Sequence, residues 1–228
     1  MKKLFLCLLF SVGYFLAEAQ LFYLQAGVNL ANISTTNDGK TEKNNTLTTF
    51  NAGFMGRFGL SDAIDFESGL LVMGQGSKAE TYFSGQDYVK SKFNPIYIQL
   101  PLNVVIKVPL QKTTSLFFNA GPYVAVGIAG KSRTESSIGL FKSTMEESIH
   151  FSNDDPFTSQ QDDAGYNKLK RFDYGVNAGG GLDLGKVILK ANYGLGLAKI
   201  NSTQPDNGVN DKNKYRTVSL SVGIPLGR

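Results

Sequence analysis

The stretch from Asn94 to Lys107, N-P-I-Y-I-Q-L-P-L-N-V-V-I-K, alternates with a period of two. Ile96, Ile98, Leu100, Leu102, Val104 and Ile106 form one unbroken aliphatic row, and Tyr97, Gln99, Pro101, Asn103 and Lys107 take most of the other. A helix would repeat every 3.6 residues, so the pattern predicts an extended strand with one apolar and one polar face. At ~3.3 Å per residue the apolar band is on the order of 30 Å long. A tilted strand of that length crosses the hydrocarbon core of a bilayer. Pro101 falls on the polar face, where the missing ladder donor predicts a bulge in the wall.

Seven further segments repeat the alternation: 21–33, 48–60, 64–77, 115–130, 172–184, 187–200 and 214–226. Polar stretches at 34–47, 78–93, 131–171 and 201–213 join some of them, and short links at 61–63, 108–114 and 185–186 join the rest. Long and short connections strictly alternate. The expected fold is all-β: an eight-stranded antiparallel up-and-down transmembrane β-barrel with short periplasmic turns, long external loops and both termini on the periplasmic side. In the second polar stretch, Tyr82-Phe83 and Tyr88-Val89 predict that the flanking strands continue above the membrane. The segment 131–171 shows no period, and so long a loop is uncommon unless functional or disordered. Gly185-Lys186 reads as a two-residue hairpin turn, and Gly179-Gly180-Gly181 relieves crowding inside a strand; it is no phosphate loop, because it neither follows a strand nor opens a helix.

Alternation alone would also suit a water-soluble barrel, but the polar rows decide against it. A wet exterior would be dense in Lys, Glu and Thr. These rows are largely Gly and Asn, which suit a narrow lumen that side chains must just fill, while the apolar rows are free of charge through their middles.

The chain opens Met1-Lys2-Lys3, continues with an apolar run from Leu4 to Leu16, and reaches Ala17-Glu18-Ala19 before Gln20. A basic start, a short apolar run and an A-x-A site predict a secretory signal over 1–19, leaving 20–228 as one outer-membrane barrel domain exported across a Gram-negative envelope. Cys7 lies in that signal, so the exported chain would contain neither disulfide nor reactive thiol. Removing the signal takes the formal charge from +4 to about +3. Basic residues are scattered along the chain, which is no nucleic-acid footprint.

Charges interrupt the inward rows at Arg57, Asp65, Glu67, Lys107, Asp173, Asp183 and Lys190. An unpaired charge in a tight lumen is costly, so these are expected to pair across the barrel as a structural plug, with a gated ion path as the sharper reading. Lys168, Lys170 and Arg171 stand at the expected outer rim, where they could contact lipid phosphates. His150 lies near Glu146 and Glu147, but nothing in the sequence singles out a nucleophile and an orienting partner for it, and it reads as a surface residue of the long loop. Asn153-Asp154-Asp155 and Asp162-Asp163 lack the spacing of a known calcium loop. No catalytic residue, cofactor or metal site is assigned.

Taken together, A-G-V-N-L-A-N-I-S (26–34), N-A-G-F-M-G-R-F (51–58), Y-I-Q-L-P-L (97–102), N-A-G-P-Y (119–123), Y-G-V-N-A-G-G-G-L (174–182) and the last strand resemble the PorT-like outer-membrane β-barrel family of the Bacteroidetes. The resemblance implies an eight-stranded barrel, with some family members tied to protein secretion. The C-terminus departs from many such barrels, ending Ile-Pro-Leu-Gly-Arg without a terminal aromatic residue. The function expected is a non-enzymatic envelope component that engages a macromolecular partner and the outer-membrane lipids. A small lipid-modifying enzyme and a narrow solute channel are the alternatives.

Overall fold

The computed structural model describes residues 19–37, 40–43, 46–83, 87–139, 141–155, 157, 168–200 and 213–226. The expected signal, apart from Ala19, and the acidic pair Asp162-Asp163 lie outside the described residues. The strands are β1 (Ala19–Asn37), β2 (Lys40–Lys43), β3 (Leu47–Gly59), β4 (Ile64–Gly74), β5 (Ser77–Tyr82), β6 (Tyr88–Gln111), β7 (Thr114–Ile138), β8 (Phe141–Ser148), β9 (His150–Ser152), β10 (Lys168–Lys170), β11 (Phe172–Asp183), β12 (Ile188–Gly196) and β13 (Lys214–Leu226).

Eight of them close a ring. β1 pairs antiparallel with β3, β3 with β4, β4 with β6, β6 with β7, β7 with β11, β11 with β12, β12 with β13, and β13 returns to β1. Closure removes the sheet edges that could not be satisfied in lipid. The short links lie at one end, and Gly185 takes φ 83° in the turn closed by Leu184 N–H donating to the Val187 carbonyl at 2.9 Å.

The barrel is inside-out relative to a soluble protein. Ile98, Leu100, Leu102, Val104 and Ile106 are exposed, whereas Tyr97, Gln99, Asn103 and Val105 are buried. Near the short-turn end Phe22 lies 5.3 Å from Phe54 and 6.1 Å from Phe58, whose ring is 6.4 Å from that of Phe66. Such an outward aromatic cluster belongs at the interface of a membrane barrel. Neighbouring backbones approach closely in the wall: a Cβ on Gly121 would sit 2.0 Å from the Leu102 carbonyl oxygen.

Three local expectations need correction. The register of β4 against β6 runs through Pro101 without a shift; pairing lapses there, and the irregularities of β6 against β7 lie instead at Ile96/Tyr97, opposite Gly127 and Ala129, and at Pro109/Gln111. A proline whose register neighbours are already set can drop ladder bonds without inserting a residue. The segment 131–171 is not wholly irregular. β7 carries on to Ile138, and β8 returns along it from Phe141. This hairpin has polar residues on both faces, so no apolar period marked it. The third strand ends at Gly74 rather than residue 77, because Gly76 turns the chain with φ 122° before β5 pairs back on β6.

As expected from Tyr82-Phe83 and Tyr88-Val89, β6 continues above the membrane. Beyond the barrel mouth β5, the start of β6, the end of β7 and β8 form four adjacent strands, with all of β8 exposed.

Candidate functional site

Alternation along each strand turns small and polar residues inward, and they fill the lumen in three levels. Toward the short-turn end, Leu21, Tyr23, Met55, Leu71, Met73, Val105, Phe117 and Ile188 form an apolar cluster. Four charges are set against it. The Arg57 Nε donates to Glu67 Oε2 at 2.7 Å, and Lys190 Nζ donates to Glu67 Oε1. The hydroxyl of Tyr23 adds 2.7 Å to Glu67 Oε2, and Asn103 Nδ2 adds 3.3 Å to Oε1. Asp183 lies 4.0 Å from Arg57. The guanidinium sits 4.0 Å over the Phe117 ring, a cation–π contact that water does not weaken because Phe117 is fully buried.

Above this lies a polar middle. Asn51 Nδ2 donates to Asn29 Oδ1 at 2.7 Å, while Gln25 Nε2 and Ser221 Oγ both donate to Asn51 Oδ1, at 3.2 and 2.9 Å. A cavity of about 40 Å³ sits among Gln25, Asn51, Asn103, Asn177, Asn192 and Ser221. By the ~10–15 Å³ that one water needs, it has room for about three waters and nothing larger.

The outer level closes the mouth. Ile33, Tyr97, Tyr123, Ala125, Ile149, Leu169, Ile200 and Tyr215 cluster there, with Phe93 and Phe151 against them. Tyr97 meets Tyr215 and Phe151 edge-on, each at 5.6 Å between ring centroids. β9 and β10 run parallel and drop Leu169 into the barrel, where it is fully buried. A Cβ on Gly127 would strike the Phe151 ring at 2.2 Å, so that position admits the cap only as glycine. This cap of Ile149, Phe151 and Leu169 is what sequence reading missed. Its residues lie in the segment without a period, and the short run Ile149–Phe151 was the one available signal.

The charged residues separate into groups. Arg57, Glu67, Asp183 and Lys190 come together; Asp65 and Lys107 pair apart from them at 2.7 Å, where Lys107 is 24% exposed. Asp173 lies in the outer level, where Tyr123 donates to its Oδ2 at 3.0 Å and no cation pairs with it among the described residues. At the rim, Lys170 turns inward: it is 1% exposed and its Nζ donates to the Asp155 carbonyl at 2.7 Å. Burial pushes its ammonium below the usual range, against the pull of Asp154 and Asp155. Arg171 donates to the Phe151 carbonyl at 3.3 Å and so clamps the cap. His150 is exposed on β9 opposite Lys168. Among the described residues no three of His, Cys, Asp and Glu gather where a metal could sit.

The arrangement fills the lumen and pairs most of its charges, leaving among the described lumen residues room for a few waters rather than for a substrate. The family model described as outer membrane protein beta-barrel domain matches residues 19–202. Among solved structures the chain is similar to Ail, the attachment invasion locus protein of Yersinia pestis, at 12% identity over 90% of this chain and 98% of that one, with TM-score 0.40. Similarity extends to Neisserial surface protein A (13% identity, 89% and 96% covered, TM-score 0.37) and to OprG from Pseudomonas aeruginosa (10%, 92% and 98%, 0.38). No curated protein matches the sequence.

Proposed function

This chain belongs to the outer membrane protein beta-barrel domain family, and we propose that it is a non-enzymatic, non-conducting barrel that holds an external β-sheet in place to engage a macromolecular partner of the envelope. The carrying observation is a lumen filled at both ends, by the Arg57–Glu67–Lys190 group and by the Ile149–Phe151–Leu169 cap, around about 40 Å³ of space. Side chains that fill a small barrel leave no route for solutes. What projects is β8, which among the described residues pairs only with β7 and carries Phe141 85% and Met145 61% exposed. Such an edge is a template for strand addition by a partner.

The test uses the full chain. In planar bilayers the protein gives no steady single-channel current. In whole outer membranes a photo-crosslinker at Phe141 captures a discrete partner, and the capture is lost when proline replaces Thr144. Steady current, or capture unchanged by the proline, would refute the proposal. A finer place with the PorT-like barrels of the Bacteroidetes, beside secretion components, is supported by the motif resemblance; capture of an export component is its test. Export after cleavage behind Ala19 predicts that the exported protein begins at Gln20. Surrounding outer-membrane lipids are a second class of partner, met at the mouth by Lys168 and Arg171.

A further inference from the structure

The external sheet carries an outward face that continues the lipid-facing row of β6. Residues directly opposite across strands share a face. Lys78 on β5 stands opposite Lys92 on β6, and Lys92 opposite Arg133 on β7. Their inward neighbours prove the orientation: Phe93 packs on the buried outer cluster and Ser132 is buried. Three cations therefore lie side by side in one row. Like charges directly opposite destabilise a sheet, so this row carries a cost within the isolated protein.

Neutralisation from within is incomplete. Lys78 reaches Glu80 only at 3.5 Å, with its side chain 41% exposed; Arg133 pairs with Glu135 at 2.8 Å and is half exposed. Glu146, which is opposite Arg133, is taken by Lys131 at 2.6 Å. Lys92, at the centre of the row, is exposed and has no anionic partner among the described residues. Across this face Lys78, Lys90, Lys92, Lys131, Arg133 and Lys142 outnumber Glu80, Glu135 and Glu146.

The height of the row identifies what would neutralise it. Ile96 is the last outward aliphatic residue of β6. Lys92 is four positions further out, which at ~3.3 Å per residue and a tilt of ~40° places it about 10 Å above that edge along the membrane normal. The headgroup zone is roughly 5–8 Å deep per leaflet. Long basic side chains bend back toward charged groups at an interface while keeping their stems on apolar surface. We propose that Lys78, Lys92 and Arg133 form a binding surface for phosphate-bearing headgroups of the outer-leaflet lipids, which the barrel holds against the base of its external sheet. Lys92 and Lys78 act as point charges, and Arg133 supplies the planar fork that suits a phosphate. The surface stands whether or not β8 engages a partner, because it is on the flat of the sheet and not on its edge.

The experiment places full-length barrel in phosphatidylcholine nanodiscs and measures retention of added diphosphoryl lipid A, its dephosphorylated form, and inorganic phosphate. Lys92→Gln with Arg133→Gln is the test variant; Lys112→Gln with Lys186→Gln removes the same charge at the short-turn end. Gel mobility with and without heating confirms that each variant is a closed barrel. The expected result is preferential retention of the diphosphoryl lipid, weakened about fivefold for each cation removed, with the short-turn variant unchanged. Equal retention of the dephosphorylated lipid would overturn the proposal, as would an equal loss in both variants. Displacement by inorganic phosphate at matched concentration would assign the site to free phosphate and overturn the lipid assignment. If the double variant fails to close, Lys92→Gln alone gives the same decision at one fivefold step.

Discussion

Replacing Glu67 by Gln should destabilise the barrel more than any other single charge removal in the lumen. Glu67 is fully buried and holds two cations, Arg57 at 2.7 Å and Lys190, with Tyr23 and Asn103 completing its shell. The amide keeps the volume and removes the charge, leaving Lys190 without a carboxylate partner among the described residues and Arg57 with Asp183 at 4.0 Å. Breaking a buried pair from one side costs about 3–5 kcal/mol, a change of roughly 150- to 5,000-fold in the folding equilibrium. Asp65→Asn is the comparison. Its pair with Lys107 is equally short at 2.7 Å, but Lys107 is 24% exposed, so water screens it and a loss of at most about 1 kcal/mol is expected. The chain has no tryptophan, so denaturant-driven unfolding from lipid vesicles is best followed by far-ultraviolet circular dichroism and by gel mobility. Lys190→Met added to Glu67→Gln should recover part of the loss, giving a coupling of about 0.5–3 kcal/mol. If Glu67→Gln and Asp65→Asn cost the same, or if the double variant is simply additive, the reasoning fails, because burial would then not govern these pairs.

Gly121→Ala should cost about 1–3 kcal/mol or more, since its Cβ meets the Leu102 carbonyl oxygen at 2.0 Å and the neighbour is backbone that cannot turn aside. Gly194→Ala, whose nearest neighbour would be 3.7 Å away, should be neutral or gain about 0.4–1 kcal/mol by restricting the unfolded chain; equal effects at the two sites would contradict the close approach of the strands. For pH, the hydrogen bond from Lys131 holds the Glu146 carboxyl below its usual range. Its contribution to the hairpin is thus complete above the ordinary glutamate pKa and is lost as pH falls through the lowered one. A carbon-detected NMR titration should show that midpoint return to the ordinary value in Lys131→Gln, and an unchanged midpoint would refute the pairing.

Much of this architecture is written in local pattern. Period two over 94–107 and seven other stretches sets eight strands, and the Gly- and Asn-rich rows say which face is lumen, because lipid tolerates no charge and a narrow lumen admits only small or paired groups. The positions of Arg57, Glu67 and Lys190 on the inward rows were equally legible. Which charge meets which was not: partners as distant as Glu67 and Lys190 are joined only by closure and by the stagger of the strands. Tertiary structure alone decided that Asp173 receives a tyrosine instead of a cation, that Lys170 turns away from the lipid, and that Ile149, Phe151 and Leu169 fold back into the mouth. It also aligned Lys78, Lys92 and Arg133 in one row. Period and propensity act over a few residues, whereas these contacts depend on how the ring closes and on a segment whose two wet faces leave no apolar period to read.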